Sequence, residues 1–148
     1  MSTHTQICYH IVFSTKDRQP TLKANRREDL FRYIWGILKN RESHLYRING
    51  AEGHLHIVSS LHPSVSLADL VKDVKTGSSL WIKKEGIFRV FSHWQDGYAA
   101  FTHSKGEIDG LIEYVKGQEE HHRRTTFVEE YRKLLEEAGI EFDERYML

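Results

Sequence analysis

Only one cysteine, Cys8, occurs in the 148 residues, which excludes an internal disulfide and fits a reducing cytoplasm. No apolar run approaches the length of a membrane span, and the polar opening MSTHTQ does not read as a signal peptide. An excess of charge is missing too: 21 basic residues balance 21 acidic ones. Most nucleic-acid-binding domains are visibly basic, so any such surface here is confined to a local patch. Internal repeats and low-complexity linkers are absent. What remains is a composition of 39% hydrophobic and 28% charged residues, ordinary for a soluble globular protein. Its length suits one domain, residues 1–148, with a real core. The one compositional surplus is histidine, with ten copies.

Pattern along the chain predicts the elements. TQICYHIVFS (5–14) is rich in β-branched and aromatic residues and reads as a strand, and Pro20 closes the loop after it. From about Ala24 to Arg41, the spacing of Leu30, Ile34, Ile37 and Leu38 is helical. HLYRING (44–50) and HLHIVSSL (54–61) are short strands joined by a linker of hairpin length. Ser66 can cap a helix that carries Leu67, Leu70, Val71, Val74 and Leu80 and runs to about Lys84. A fourth strand follows at roughly Tyr98 to Thr102. Ser104 with Glu107, and Thr126 with Glu129, then open two further helices as capping boxes, the second ending near Gly139. The order strand, helix, strand, strand, helix, strand predicts an α+β, ferredoxin-like antiparallel sheet (β-α-β-β-α-β). Its helices lie on one face, with a helical C-terminal extension.

Within HLHIVSS, alternate residues of a strand share a face, so His54 and His56 project together while Leu55 and Ile57 point the other way. Two imidazoles so placed can share a metal ion. An isolated pair of this kind more often marks the solvated face of a strand. The helix opened by Ser104 carries Ile108, Leu111, Ile112 and Val115 as its core stripe, and puts Tyr114 and Gln118 one turn apart on the flank. Two histidines and an amide oxygen form an incomplete coordination shell with room for a phosphate oxygen. A tyrosine hydroxyl beside it could attack that phosphate.

Taken in order, YHIVFSTKDRQP, GHLHIVSSLHP, SLWIK, WQDGYAAFTHS and YVKGQEEHH resemble a known family. They are similar to the single-tyrosine, HUH-type transposases of the insertion-sequence two-hundred type and their domesticated relatives, the REP-associated tyrosine transposases. The resemblance runs from about Cys8 to the C-terminal DERY. It implies that His54 and His56 are metal ligands, that Gln118 is the third ligand and that Tyr114 is the nucleophile. Many members carry Asp immediately before the first histidine, whereas this chain has Gly53. Glu52, one position earlier, is the candidate to replace that carboxylate, as a ligand or as a group behind the ligands.

The implied activity is metal-dependent cleavage and rejoining of single-stranded DNA through a 5′-phosphotyrosine, with recognition of DNA hairpins. Implied with it are Mg²⁺ or Mn²⁺ as cofactor, a homodimer, and action in the cytoplasm at the nucleoid with no membrane partner. The apolar first strand ICYHIVF is the candidate to join two sheets across a twofold axis. Two other readings stay open: a domesticated relative acting on dispersed hairpin repeats, and a non-catalytic module that binds single strands by aromatic stacking. Lys72, Lys75, Lys83 and Lys84, with Arg123 and Arg124, form a candidate DNA patch. His121 and His122 read as a solvated helix end, Trp81 and Trp94 as core, and His10 as a strand residue that could approach the site.

Overall fold

β1 (Cys8–Ser14) is the spine of the sheet, pairing antiparallel with β3 (His54–Ser60) on one side and β4 (Ala99–Thr102) on the other. β2 (Leu45–Gly50) pairs antiparallel with the free side of β3, giving the order β2-β3-β1-β4. The computed structural model describes residues 2–146; Met1, Met147 and Leu148 of the expected domain lie outside the described residues. Two helical crossovers connect the strands. α1 (Ala24–Asn40) links β1 to β2, and α2 (Leu67–Glu85) leads from β3 toward β4. Each crossover joins strands that have one other strand between them, the interleaved pattern of the expected ferredoxin-like sheet.

One expectation fails here. β1 is hydrogen-bonded on both edges and cannot add a strand from a second chain; the open edges are β2 and β4. An apolar strand marks a sheet interior more readily than an interface, because both its faces and both its edges are covered.

Side-chain alternation sorts the core into two layers. Ile11, Phe13, Leu55 and Ile57 face α1 and α2, where they meet Leu30, Ile34, Leu70 and Val74. The opposite face carries Cys8, Val12 and Val58. β3 is buried at six of its seven positions, so this second face needs cover as well. The C-terminal extension supplies it: α3 (Ile108–Lys116) packs on Cys8 and Val58, and α5 (Phe127–Glu137) packs on Val12 and Ala99.

Local signals act largely as expected. Ser66 Oγ accepts from the Asp69 amide at 3.1 Å, and Ser104 with Glu107 closes a capping box. Trp94 is buried, its Nε1 donating to Ser78 Oγ at 2.9 Å, while Trp81 is half-buried and stacks on Tyr33. Leu80, expected in the core, is 65% exposed. The helix expected to run from Lys105 through Gln118 breaks at Gly117. α4 (Gln118–Arg124) starts anew there, as suits the weakest helix former other than proline. No helix among the described residues is long and apolar enough to cross a membrane.

Candidate active site

His54 and His56 rise from β3 into the layer between the sheet and the C-terminal helices, both with 0% exposure. The solvated-face reading of the pair is therefore excluded. Their Nε2 atoms converge on α4 and α5. His54 Nε2 lies 3.1 Å from Gln118 Oε1, and His56 Nε2 lies 3.2 Å from Glu130 Oε1. Gln118 donates from Nε2 to Glu130 Oε2 at 2.8 Å, and the Tyr114 hydroxyl donates to the same oxygen. His121 Nε2, 3.3 Å away, faces that oxygen too. Tyr114 and Gln118 thus meet at Glu130 from two separate helices, not from one turn of a single helix.

The backbone explains the convergence. The Asn49 side chain on β2 donates to the carbonyl of Lys116 at 3.0 Å, fixing the end of α3. Arg27, buried on α1, bonds the Leu22 carbonyl and reaches Glu119 at 3.0 Å, which fixes α4. On α5, Thr126 caps the helix by accepting from the Glu129 amide. The stripe Phe127, Tyr131 and Leu135 turns inward there and carries Glu130 with it.

Sequence reasoning missed Glu130, and it read His121, which faces this carboxylate, as part of a solvated helix end. The signal for Glu130 was available: a carboxylate on an inward apolar stripe, where charged side chains are rare unless paired. It is 4% exposed. Its two oxygens divide the work, Oε1 facing the histidines and Oε2 facing Tyr114 and Gln118.

The residues fit a divalent ion. One ligand atom each from His54, His56 and Glu130 lies within 4.8 Å of the others. Ligands around a six-coordinate Mg²⁺-sized ion sit about 3 Å apart. The contacts of Glu130 Oε1 with His56 and His54, at 3.2 and 3.5 Å, and of Gln118 Oε1 with His54, at 3.1 Å, are close to that spacing. Two imidazoles with a carboxylate and an amide oxygen make a mixed nitrogen and oxygen donor set.

Electrostatics follow from burial. Desolvation pushes His54 down to about 3, assisted by the neighbouring charge of His56, and holds His10 well below the ordinary histidine range. Burial works to raise the Glu130 carboxyl, but hydrogen bonds from His56, Tyr114 and Gln118 outweigh it and hold the group below the usual carboxylate range. Tyr114 moves the opposite way: burial, then the charge of Glu130, raise its phenol above the ordinary value. Without a cation, the site opposes formation of a phenolate.

Gly53 has a steric reason. A Cβ there would lie 2.7 Å from the Arg18 carbonyl oxygen, in a loop where Asp17 and Arg18 both adopt positive φ, 53° and 57°. The loop occupies the space that a side chain before His54 would need. Glu52 pairs with Lys23 at 3.6 Å and stands outside the His54–His56–Glu130 group.

The basic residues separate. Lys72, Lys83 and Lys84 are exposed on α2, across the sheet from the histidines. Lys75 donates to the carbonyls of Gln95 and Gly97, holding the loop before β4. Arg123 and Arg124 pair with Glu120 on α4. Arg123 also lines a cleft of about 490 Å³ beside His54, with Arg18, Arg27 and His122. A second cleft, about 420 Å³ and lined by His10, Phe101, His103, Leu111 and Leu134, reaches Tyr114 from the other side.

Comparison with known proteins bears on the fold and the family. The chain superposes on a Deinococcus radiodurans R1 protein assigned as a transposase with a TM-score of 0.62 and 18% identity, covering 80% of this chain and 95% of that one. It also superposes on a REP-associated tyrosine transposase bound to a REP hairpin, with a TM-score of 0.57 and 11% identity, covering 79% of this chain and 72% of that one. At these identities the likeness is one of fold. No curated protein matches the chain in sequence. The sequence model of the family described as "Transposase IS200 like" matches residues 3–118, ending at the glutamine that bridges His54 and Glu130, and the chain therefore belongs to the IS200-like transposase family.

Proposed function

We propose that this protein, acting as one domain over residues 1–148, cleaves and rejoins single-stranded DNA with Tyr114 as nucleophile. One observation carries the reading: the Tyr114 hydroxyl is tied through a single carboxylate, Glu130, to His56 of the buried histidine pair. The Tyr114 oxygen attacks a phosphorus as its proton passes to Glu130, the bond from phosphorus to the 3′ oxygen breaks, and that oxygen takes a proton from solvent, leaving a 5′-phosphotyrosine and a free 3′-hydroxyl. The covalent bond retains the phosphodiester energy, so rejoining needs no ATP.

His54, His56 and Glu130, with the amide oxygen of Gln118, are the residues that would hold Mg²⁺ or Mn²⁺. Such an ion supplies charge stabilisation for the phosphoryl group and offsets the Glu130 charge that opposes a phenolate. Glu130 Oε2 already accepts the phenol hydrogen bond and is the nearest acceptor for its proton. The cleft lined by His10, Phe101 and His103 is the route by which a strand reaches Tyr114. The related structure bound to a REP hairpin supports a hairpin-bearing single strand as substrate. Of the candidate DNA contacts, Arg123 and Arg124 on α4 are on the side of the histidines; Lys72, Lys75, Lys83 and Lys84 lie on α2 across the sheet and could meet only DNA that continues beyond the site. The active form is a cytoplasmic homodimer at the nucleoid, joined through β2 or β4, which sedimentation at micromolar concentration checks.

The test uses labelled single-stranded oligonucleotides spanning both flanks of the gene, incubated with protein and Mn²⁺. An SDS-resistant protein–DNA adduct is expected, lost in Tyr114→Phe and in EDTA. Hairpin binding with no adduct would overturn the catalytic reading in favour of a binding module.

A further inference from the structure

β1 places His10 on the same face of the sheet as His56: His10 is in register with Val58, and His56 with Val12, one diagonal step apart. His10 is 1% exposed. Its ring is nearly coplanar with that of His56, the planes inclined by 19° and the centroids 5.0 Å apart, and its Nε2 lies 2.8 Å from His56 Nδ1. A contact of that length between two imidazole nitrogens holds one hydrogen, so one ring donates and the other accepts. The tautomers of two neutral rings are therefore locked together.

The far side of His56 decides which way. His56 Nε2 faces Glu130 Oε1 at 3.2 Å, and an ionised carboxylate only accepts. With no cation present, a neutral His56 carries its proton on Nε2, Nδ1 is bare, and His10 donates from Nε2. A cation held by His56 needs the Nε2 lone pair. The His56 proton must then sit on Nδ1, where it needs an acceptor, and His10 must present a bare Nε2 with its own proton on Nδ1. Each ring keeps one proton in both states.

We propose that His10 is a positioning residue for the metal centre: it accepts from His56 Nδ1 and holds His56 in the ligating tautomer, so that loading inverts the tautomer of both rings. This rests on the reading of His54, His56 and Glu130 as the metal site. His10 acts through His56, because metal-ligating histidines are oriented by the partner of their other ring nitrogen.

The experiment measures Mn²⁺ affinity by electron paramagnetic resonance at pH 8 for the wild type, His10→Phe and His10→Gln. Phenylalanine keeps the ring and removes the acceptor, while glutamine restores an oxygen acceptor. The phenylalanine variant is expected to bind about 10–100-fold more weakly, with most of the loss recovered by glutamine. Long-range proton–nitrogen NMR of the wild type, which does not depend on any variant folding, should show both rings change from Nε2–H to Nδ1–H as Mg²⁺ is added. Equal affinity in wild type and His10→Phe, or unmoved tautomers in the loaded wild type, would overturn the inference alone. A wild type that binds neither ion would overturn the metal-centre reading, and this inference with it.

Discussion

The Tyr114 hydroxyl donates its hydrogen bond to Glu130, a residue on α5 that lies beyond the stretch matching the family. The family-matched segment holds the histidines, the tyrosine and the bridging glutamine. The carboxylate that draws them together comes from the extension. Its position matters because Gly53 leaves no room for a carboxylate ahead of His54, and Glu52 is turned toward Lys23.

Replacing Glu130 by glutamine tests that role with little change of shape. Glu130→Gln should weaken Mn²⁺ binding by more than about tenfold, the lower bound for losing even the hydrogen-bond partner of a ligand. The Tyr114 phenol should move part of the way back toward its ordinary value, because burial still raises it but the Glu130 anion no longer adds to that. Absorbance at alkaline pH, compared between Glu130→Gln and the same protein with Tyr114→Phe, reads that shift. An unchanged affinity would remove Glu130 from the ligand set.

Acid should destabilise the metal-free protein early. His54 is pushed down to about 3 and His10 well below its ordinary value. Between there and the unfolded value of about 6.5, the unfolded chain binds protons that the folded chain refuses. Stability therefore falls as pH falls through that window, by roughly 1 kcal/mol per pH unit for each histidine. Glu130, depressed below the usual carboxylate range, adds a loss in the same direction at still lower pH. Urea unfolding in EDTA should give a midpoint that is level above pH 7 and declines from about 6.5 downward. A level midpoint down to pH 4.5 would contradict the burial of neutral histidines.

Gly53→Asp reinstates the acid that many relatives carry before the first histidine, and here it should harm the fold. A Cβ 2.7 Å from the Arg18 carbonyl oxygen forces the loop at 16–18 to shift, at an overpacking cost of roughly 1–3 kcal/mol. Thermal unfolding measures the loss. Wild-type stability in this variant would mean that the loop gives way freely.

Periodicity and caps made most of the fold legible. The strands at 8–14, 45–50, 54–60 and 99–102 and the long helices lie within a few residues of where their patterns put them, because each buries a stripe that the sequence displays. The errors have local causes. Leu80 fits the helical period yet faces solvent, since no element among the described residues covers that side of α2. β1 reads as the apolar candidate to join a second sheet and proves to have both edges paired, because composition does not reveal which strand has two neighbours.

By itself, the sequence determined that His54 and His56 share a face, since strand alternation is a local rule. It also determined that Tyr114 and Gln118 come near each other, since they are close along the chain. Only the tertiary structure decided that this face is dry and that Glu130 and His10 complete the group. Those contacts span 12 to 74 residues of chain. They exist because a sheet with two apolar faces must be covered on both, and α5, in covering the second, brings its one inward carboxylate onto the histidines.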